Sequence, residues 1–426
     1  MAVVELKQPA HRSAAPASSP DYEELAARFR PIFARIAEKA VEREIGRDLP
    51  YDAVEWLADA GFGAIRLPVS RGGSGATLTQ LFRLLTELGE ADSNLVQILR
   101  AHFAFVEGRL NSDEAAVNER WFPVIARGEL FGAAMAERTT GTETLVKLTR
   151  KGGRWRLDGE KYYSTGTLYA DWIHAAAADG EERLSVILPA TAKGVTRIDD
   201  WDGFGQRLTG SGTTRFENVR VEDDQILRRF NAGEWKADTY LTAFYQQFHL
   251  AALAGIGRAV KRDAIDYVRA KTRTFGVPGT IDVSADPLVQ RVVGKLASLS
   301  FTLDSIVGSV SERLEAAHAA WNAGRPDDAA LLAADIAAYH GQQVAIDLVL
   351  QATSLLFEVG GASATQESRR LDRHWRNART IASHNPAIQR EKALGDYHLN
   401  GTNPRAAWAD RFANATTDAA APAGQG

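Results

Sequence analysis

The 426-residue chain contains no cysteine. That absence excludes disulfides, thiolate metal sites and a cysteine nucleophile. Long apolar runs are also missing. No stretch approaches the roughly 20 apolar residues that span a bilayer. The longest, near Leu250–Ile256 and Ala329–Ala338, are cut by Arg258 and Asp335. The N-terminus carries Glu5 and no apolar segment of signal-peptide length, so secretion is not indicated and a cytoplasmic location is expected. Cationic excess is lacking too. With 50 Lys and Arg against 54 Asp and Glu, the net charge of −4 gives no basis for binding nucleic acid or an anionic membrane. The spacings among His374, His384 and His398 match no ligand motif, and no metal is expected. Gly203-x-Gly205 lies between short strands rather than between a strand and a helix, so it is no dinucleotide fingerprint.

What is present is the texture of a globular protein, 45% hydrophobic and 24% charged. The length suggests about three structural units. Residues 1–20 and 414–426 are rich in Ala, Ser and Pro and read as disordered tails. Helical periodicity starts near Asp21. Asp48 and Pro50 open a helix carrying Val54, Leu57 and Ala58 and stopped by Gly61. Another begins at Thr77 with Leu81, Leu84, Leu85 and Leu88, and a fourth runs from about Leu95 to Leu110. A helical unit over 21–129 follows.

From Leu130 the period changes. Val146–Arg150 alternates, Gly152-Gly153 supplies a hairpin turn, and Asp179-Gly180 marks another before Leu184–Leu188. Residues 130–230 read as a β-domain, a small barrel or two packed sheets. Helical spacing returns and fills 231–413. One long helix covers about Asp238–Lys271. A second opens at Asp286-Pro287, and a third follows Pro326 and ends at Gly360-Gly361. Long amphipathic helices with short connections make a four-helix bundle. The fold class is α+β, with an N-terminal α-helical domain, a central β-barrel or sandwich, and a C-terminal four-helix bundle.

The stretch Asp158–Trp172 carries the first chemical signal. An aromatic ring two residues before a hydroxyl, at a strand end opened by Gly166, suits a flat conjugated ligand. The alternative is an ordinary hairpin with a tyrosine in its core. Three segments then share a resemblance: this stretch, Ala136–Glu143, and the run from Asp199 through Gly210-Ser211-Gly212 to Val221. They resemble the acyl-CoA dehydrogenase superfamily, above all its flavin monooxygenase branch of dibenzothiophene monooxygenase and sulfur-acquisition oxidoreductases. The likeness extends over roughly residues 22 to 405.

The resemblance implies the following. Thr165 partners flavin N5, Tyr163 lies against the ring, and Met135 and Thr142 line its edge. Arg273, Arg370, Gly360 and Gly361 hold flavin phosphates, in this family those of a neighbouring subunit, which implies a homotetramer. The dehydrogenases need a carboxylate to take an α-proton. Its usual seat matches Thr380–Pro386 and its alternative seat Gln246–His249, and neither stretch contains a carboxylate. His384 stands in the first seat. The dibenzothiophene monooxygenase group has an active-site histidine there and another matching His102. That group's tyrosine one turn later is Val106 here. Asn385-Pro386 reads as a helix start, which would set His384 beside a helix N-terminus.

A flavin C4a-(hydro)peroxide survives only where water is excluded and a donor supports it. Phe103, Phe105, Val106, Phe244 and Phe248 are expected to form the dry substrate pocket, although helix-packing aromatics are equally consistent with their spacing. The function expected is a two-component monooxygenase of sulfur metabolism. It would take reduced FMN from a separate flavin reductase and oxygenate a small apolar or aromatic, organosulfur or heteroatom-bearing substrate. FAD remains open as the cofactor, as do two further readings: an FAD-dependent acyl-CoA dehydrogenase with a displaced base, and a non-catalytic flavin- or thioester-binding protein.

Overall fold

The computed structural model describes residues 20–112, 114–138, 146–180, 182–231, 239–271, 282–324 and 327–405. Both terminal tails, Thr142 and Arg273 lie outside the described residues. Six helices come first: α1 (Tyr22–Glu38), α2 (Ala40–Gly46), α3 (Tyr51–Asp59), α4 (Leu78–Ala91), α5 (Ser93–Leu110) and α6 (Ala115–Ala126). Their starts have local causes. Thr77 and Gln80 form a reciprocal capping box on α4. Asp92 accepts from the Asn94 N–H, which begins α5 at Ser93 rather than near Leu95.

Eight strands follow: β1 (Phe131–Ala134), β2 (Lys147–Lys151), β3 (Arg154–Lys161), β4 (Trp172–Asp179), β5 (Glu182–Pro189), β6 (Val195–Ile198), β7 (Thr213–Val221) and β8 (Ile226–Asn231). They form one connected sheet in the order β6-β7-β3-β2-β4-β5-β8, with β1 parallel to β4. The central β-domain expected from the sequence is thus one connected mixed sheet. It packs over its own core of Leu148, Leu157, Ile173, Val186, Phe216 and Val219. Gly152 and Gly153, at φ 58° and 78°, make the predicted hairpin turn.

The remaining helices are α7 (Leu241–Arg269), α8 (Pro287–Asn322), α9 (Asp328–Leu355), α10 (Asp372–Ala382) and α11 (Ala387–Asn400). Asp286 caps α8 with Pro287 in its first turn, as the sequence indicates. The N-terminal helices and the bundle share one hydrophobic core, in which α4 packs on α7. Gly89 and Gly255 meet at that crossing. A Cβ added to Gly255 would fall 2.5 Å from the Gly89 carbonyl carbon, so the close approach requires glycine.

Two expectations near the site need correction. The strand expected through Thr165 ends at Lys161. Its ladder with β7 closes at Lys161–Thr214, and Tyr163 turns to φ 58°. Residues 162–166 are therefore a corner rather than strand. Further on, α11 starts at Ala387, with Pro386 rather than Asn385 at the cap position and no side-chain cap. Asn385 is free to bond elsewhere.

Candidate active site

The β-domain corner presents a chain of hydroxyls. Thr165 Oγ1 lies 2.8 Å from Ser211 Oγ, which lies 2.7 Å from Thr209 Oγ1. Thr209 donates to the Gln206 carbonyl at 2.9 Å. Each hydroxyl has one proton. Because the chain ends on a carbonyl, Ser211 donates to Thr209 and Thr165 donates to Ser211. Thr165 Oγ1 keeps its lone pairs as an acceptor. Beside it the Tyr163 side chain is 53% exposed and Met135 is 41% exposed. An open ring and thioether around an oriented hydroxyl fit a flat, partly polar group such as an isoalloxazine, so the residues present are compatible with a flavin.

The helical side is polar and basic. Asn385, released from capping, donates through Nδ2 to Gln246 Oε1 at 2.7 Å. That bond fixes Asn385 Oδ1 as the acceptor facing His384 Nδ1 at 3.2 Å. His384 is thereby the Nδ1–H tautomer, and its Nε2 accepts from Arg100 Nη2 at 3.1 Å. The His249 ring lies 4.4 Å from the His384 ring, tilted by 50°, and His249 accepts from Asn385 Nδ2 at 3.4 Å through Nδ1. Gln342 and Arg390 brace the corner, Gln342 by donating to the Asn385 carbonyl at 3.0 Å. Loss of solvation, then the Arg100 guanidinium, push His384 down to about 3, although one face of the residue stays open to solvent. Burial, followed by the His384 and Arg100 charges, holds His249 well below its usual value. Both imidazoles are neutral at physiological pH.

The two sides meet at α5. Gly166, at φ 81°, is so close to the helix that an added Cβ would fall 2.7 Å from the Ile98 carbonyl oxygen. Arg100 follows within the same helical turn. The Gln206 amide also donates to Asn377 on α10 at 2.6 Å, and its side chain reaches Ser93 at 3.0 Å. The loop carrying Ser211 is thus held against both helices that flank the cluster.

The sequence-based site is only partly assembled. The two base seats do converge, and both lack a carboxylate: Gln246 and His249 face His384 and Asn385 directly. His102 is elsewhere. Its Nε2 donates to the Gly63 carbonyl at 2.9 Å and its Nδ1 accepts from Phe131 N–H at 3.3 Å, with 1% exposure. Both ring nitrogens are consumed by backbone groups, which is the arrangement of a satisfied core histidine.

The expected apolar walls are also core. Phe103, Phe244 and Phe248 pack with Phe62 and Phe82, and Phe105 and Val106 pack with Trp121 and Phe131, all at most 4% exposed. The 3.6-residue period puts them on the inward stripe, while Arg100 points to the site. Gly360 abuts the Tyr267 ring, and Arg370 adopts φ 47°. Tyr267 is about 27 Å beyond His249 along α7 at 1.5 Å per residue. Gly360, against Tyr267, is thus far along α7 from His249 within one chain. Sequence reasoning gave no role to Arg100, His249 or Ser211, and gave Asn385 only that of a helix cap. An arginine as the one cationic residue, histidine aside, in the mainly apolar Leu95–Val106 run was the available signal for the first.

Comparison with known proteins follows this geometry. The N-terminal domain of acyl-CoA dehydrogenase matches residues 19–129, and the C-terminal domain of acyl-CoA dehydrogenase matches residues 248–388. Together these exceed half of the chain. The chain belongs to the acyl-CoA dehydrogenase family. Within that family it is 29% identical over 402 residues to a probable FMNH2-dependent monooxygenase, SfnC, of Pseudomonas putida, covering 92% of this chain and 98% of the relative. It is 27% identical to a dibenzothiophene monooxygenase of Rhodococcus erythropolis, covering 87% and 92%. The solved structure of methanesulfinate monooxygenase MsuC from Pseudomonas fluorescens superposes with a TM-score of 0.78 at 27% identity, covering 89% of this chain and 97% of that one. This family member therefore lacks the dehydrogenase carboxylate at both seats and has monooxygenases among its full-length relatives.

Proposed function

We propose that the protein is a reduced-FMN-dependent monooxygenase of a two-component system that oxygenates a small organosulfur compound. The observation that carries this is the pair of base seats, which meet in space and hold Gln246, His249, His384 and Asn385 in place of a carboxylate. Without a base, α-proton abstraction from a thioester forfeits roughly 10²–10⁴-fold in rate. The FMNH2-dependent and organosulfur-oxidising relatives support the same reading.

When bound, reduced FMN supplies the two electrons that split O₂, one atom entering the substrate and the other leaving as water. Thr165 Oγ1, with its proton committed to Ser211, accepts from an N–H such as the one a reduced flavin carries. Tyr163 would lie against the ring of a bound flavin, with Met135 along its edge. His384 is the imidazole of the reaction, held neutral and oriented by Asn385, with its Nε2 on Arg100. His102 leaves the reaction and positions α5 against Gly63 and Phe131. Arg273, Arg370, Gly360 and Gly361 serve the flavin phosphate of an adjacent protomer, and the assembly is a cytoplasmic homotetramer.

The test supplies NADH, a flavin reductase, FMN, ¹⁸O₂ and methanesulfinate or dibenzothiophene. One ¹⁸O atom in the product is expected. Anaerobic bleaching of tightly held FAD by an acyl-CoA, with no ¹⁸O product, would instead establish the dehydrogenase.

A further inference from the structure

The cluster on α5, α7 and the α10–α11 corner holds donors without acceptors. Arg100 Nε is buried and has no hydrogen-bond partner among the described residues. His249 accepts through Nδ1, so its Nε2 carries the proton, and that atom too is buried and unpartnered. His249 is only 2% exposed. A buried, unpaired donor is costly, more so when charged, and here two of them fall in one cluster. No described carboxylate forms an ion pair with Arg100. Its polar and ring contacts are His384 Nε2 at 3.1 Å and the Tyr245 ring at 5.5 Å. A guanidinium whose Nε is buried and which has no anion beside it among the described residues is the unusual feature here, since charges withdrawn from water are ordinarily paired. His384 accepts from Arg100 and therefore aims the guanidinium without neutralising it.

Resting on the monooxygenase reading above, we infer that Arg100 and His249 form an oxyanion subsite, and that the substrate is a compact anion such as a short alkylsulfinate rather than a neutral polycyclic thiophene. The geometry favours this over an apolar substrate for a second reason. The aromatic side chains expected to wall an apolar pocket are committed to the core, and the cluster side chains described above are polar. Sulfinate, sulfonate and carboxylate head groups share the required chemistry: two or more oxygens that accept from a guanidinium and an imidazole N–H.

The experiment titrates flavin-free protein with methanesulfonate, an unreactive oxyanion, and with acetate and dimethyl sulfone, by calorimetry. FMN affinity is measured separately by fluorescence. Methanesulfonate is expected to bind, more weakly at high salt, and dimethyl sulfone at least tenfold more weakly. Tighter binding of methanesulfonate than of acetate assigns the head group to sulfur, and the reverse assigns it to a carboxylate. Arg100→Gln is expected to weaken methanesulfonate at least tenfold with FMN affinity within twofold of the parent. Arg100→Lys, which keeps the charge and reports on folding, is expected to recover part of the loss.

The inference is overturned if dimethyl sulfone binds as tightly as methanesulfonate, or if Arg100→Gln leaves methanesulfonate binding unchanged. It is equally overturned if that variant weakens FMN as much as methanesulfonate, because Arg100 would then belong to the flavin. Failure of the monooxygenase reading looks different: no ¹⁸O enters any substrate, whatever binds at Arg100.

Discussion

At the scale of single residues, the buried imidazoles govern the response to acid. Burial pushes His102 down to about 4, and burial with the Arg109 charge does the same to His174. The unfolded chain titrates these groups near 6.5 and so binds more protons than the fold between pH 6.5 and 4. Their stabilisation is complete above pH 6.5 and is lost as pH falls towards 4, at about 1.4 kcal/mol per unit for each ring. Asp335, raised to about 6 by burial, works in the opposite direction. These three groups predict a net loss of about 2–3 kcal/mol between pH 7 and pH 5. Urea midpoints at the two pH values check it, and an unchanged midpoint would refute it. His102→Ala leaves the Gly63 carbonyl and the Phe131 N–H unpaired and opens a cavity. A loss of about 3 kcal/mol is expected from urea unfolding. A kcat loss in the folded variant larger than that of His384→Ala would return His102 to the reaction. The residue scale is also where sequence reasoning fell furthest short. His102 and Arg100 are two positions apart, and only packing decides which of them faces Gly63 and which faces His384.

At the scale of elements, the boundaries that sequence signals define are also where stability can be probed. Thr77 and Gln80 cap α4, which packs on α7 and so sets the crossing at Gly89 and Gly255. Thr77→Ala is expected to cost about 1 kcal/mol, read from the urea midpoint, with flavin binding unaffected. Gly166→Ala tests the corner itself. The residue is at φ 81°, and an added Cβ would strike the Ile98 carbonyl, so the Thr165 corner must move away from α5. FMN affinity is expected to fall more than tenfold while the melting temperature falls by only a few degrees. Equal affinity in the variant would show that the corner does not hold the flavin. The helix starts at Leu78 and Pro287 were legible because caps, prolines and the 3.6-residue period act locally, whereas α3 starts at Tyr51 with Pro50 rather than Asp48 before it and no side-chain cap. The corner at 162–166 was not, because β-prone residues continue past Lys161 and only the end of the β7 ladder stops the strand.

At the scale of the whole molecule, the site spans units that the sequence lists separately, and the phosphate-binding part proposed above draws on an adjacent protomer. Phe301 and Leu288 on α8 are each 73% exposed, an apolar outer face on a bundle helix. Phe301→Asp is expected to shift the assembly to smaller species in size-exclusion chromatography with light scattering. FMN affinity should fall with it, by more than tenfold, if Arg273, Gly360 and Gly361 act on a neighbour's flavin. Intact FMN affinity in a dissociated variant would place the whole flavin site within one protomer.

The sequence by itself determined the order of helices, strands and helices, the turns between strands, and the missing carboxylate in both base seats. These are set by local periodicity, capping chemistry and residue identity, which do not depend on what lies across the core. Only the tertiary structure decided that the aromatic stripe faces inward while Arg100 faces the site. It also decided that Asn385 leaves its helix to hold Gln246 and His384, and that two buried donors, Arg100 Nε and His249 Nε2, are left without a hydrogen-bond partner among the described residues. Those outcomes depend on which surfaces meet in space, and a one-dimensional pattern carries no term for that.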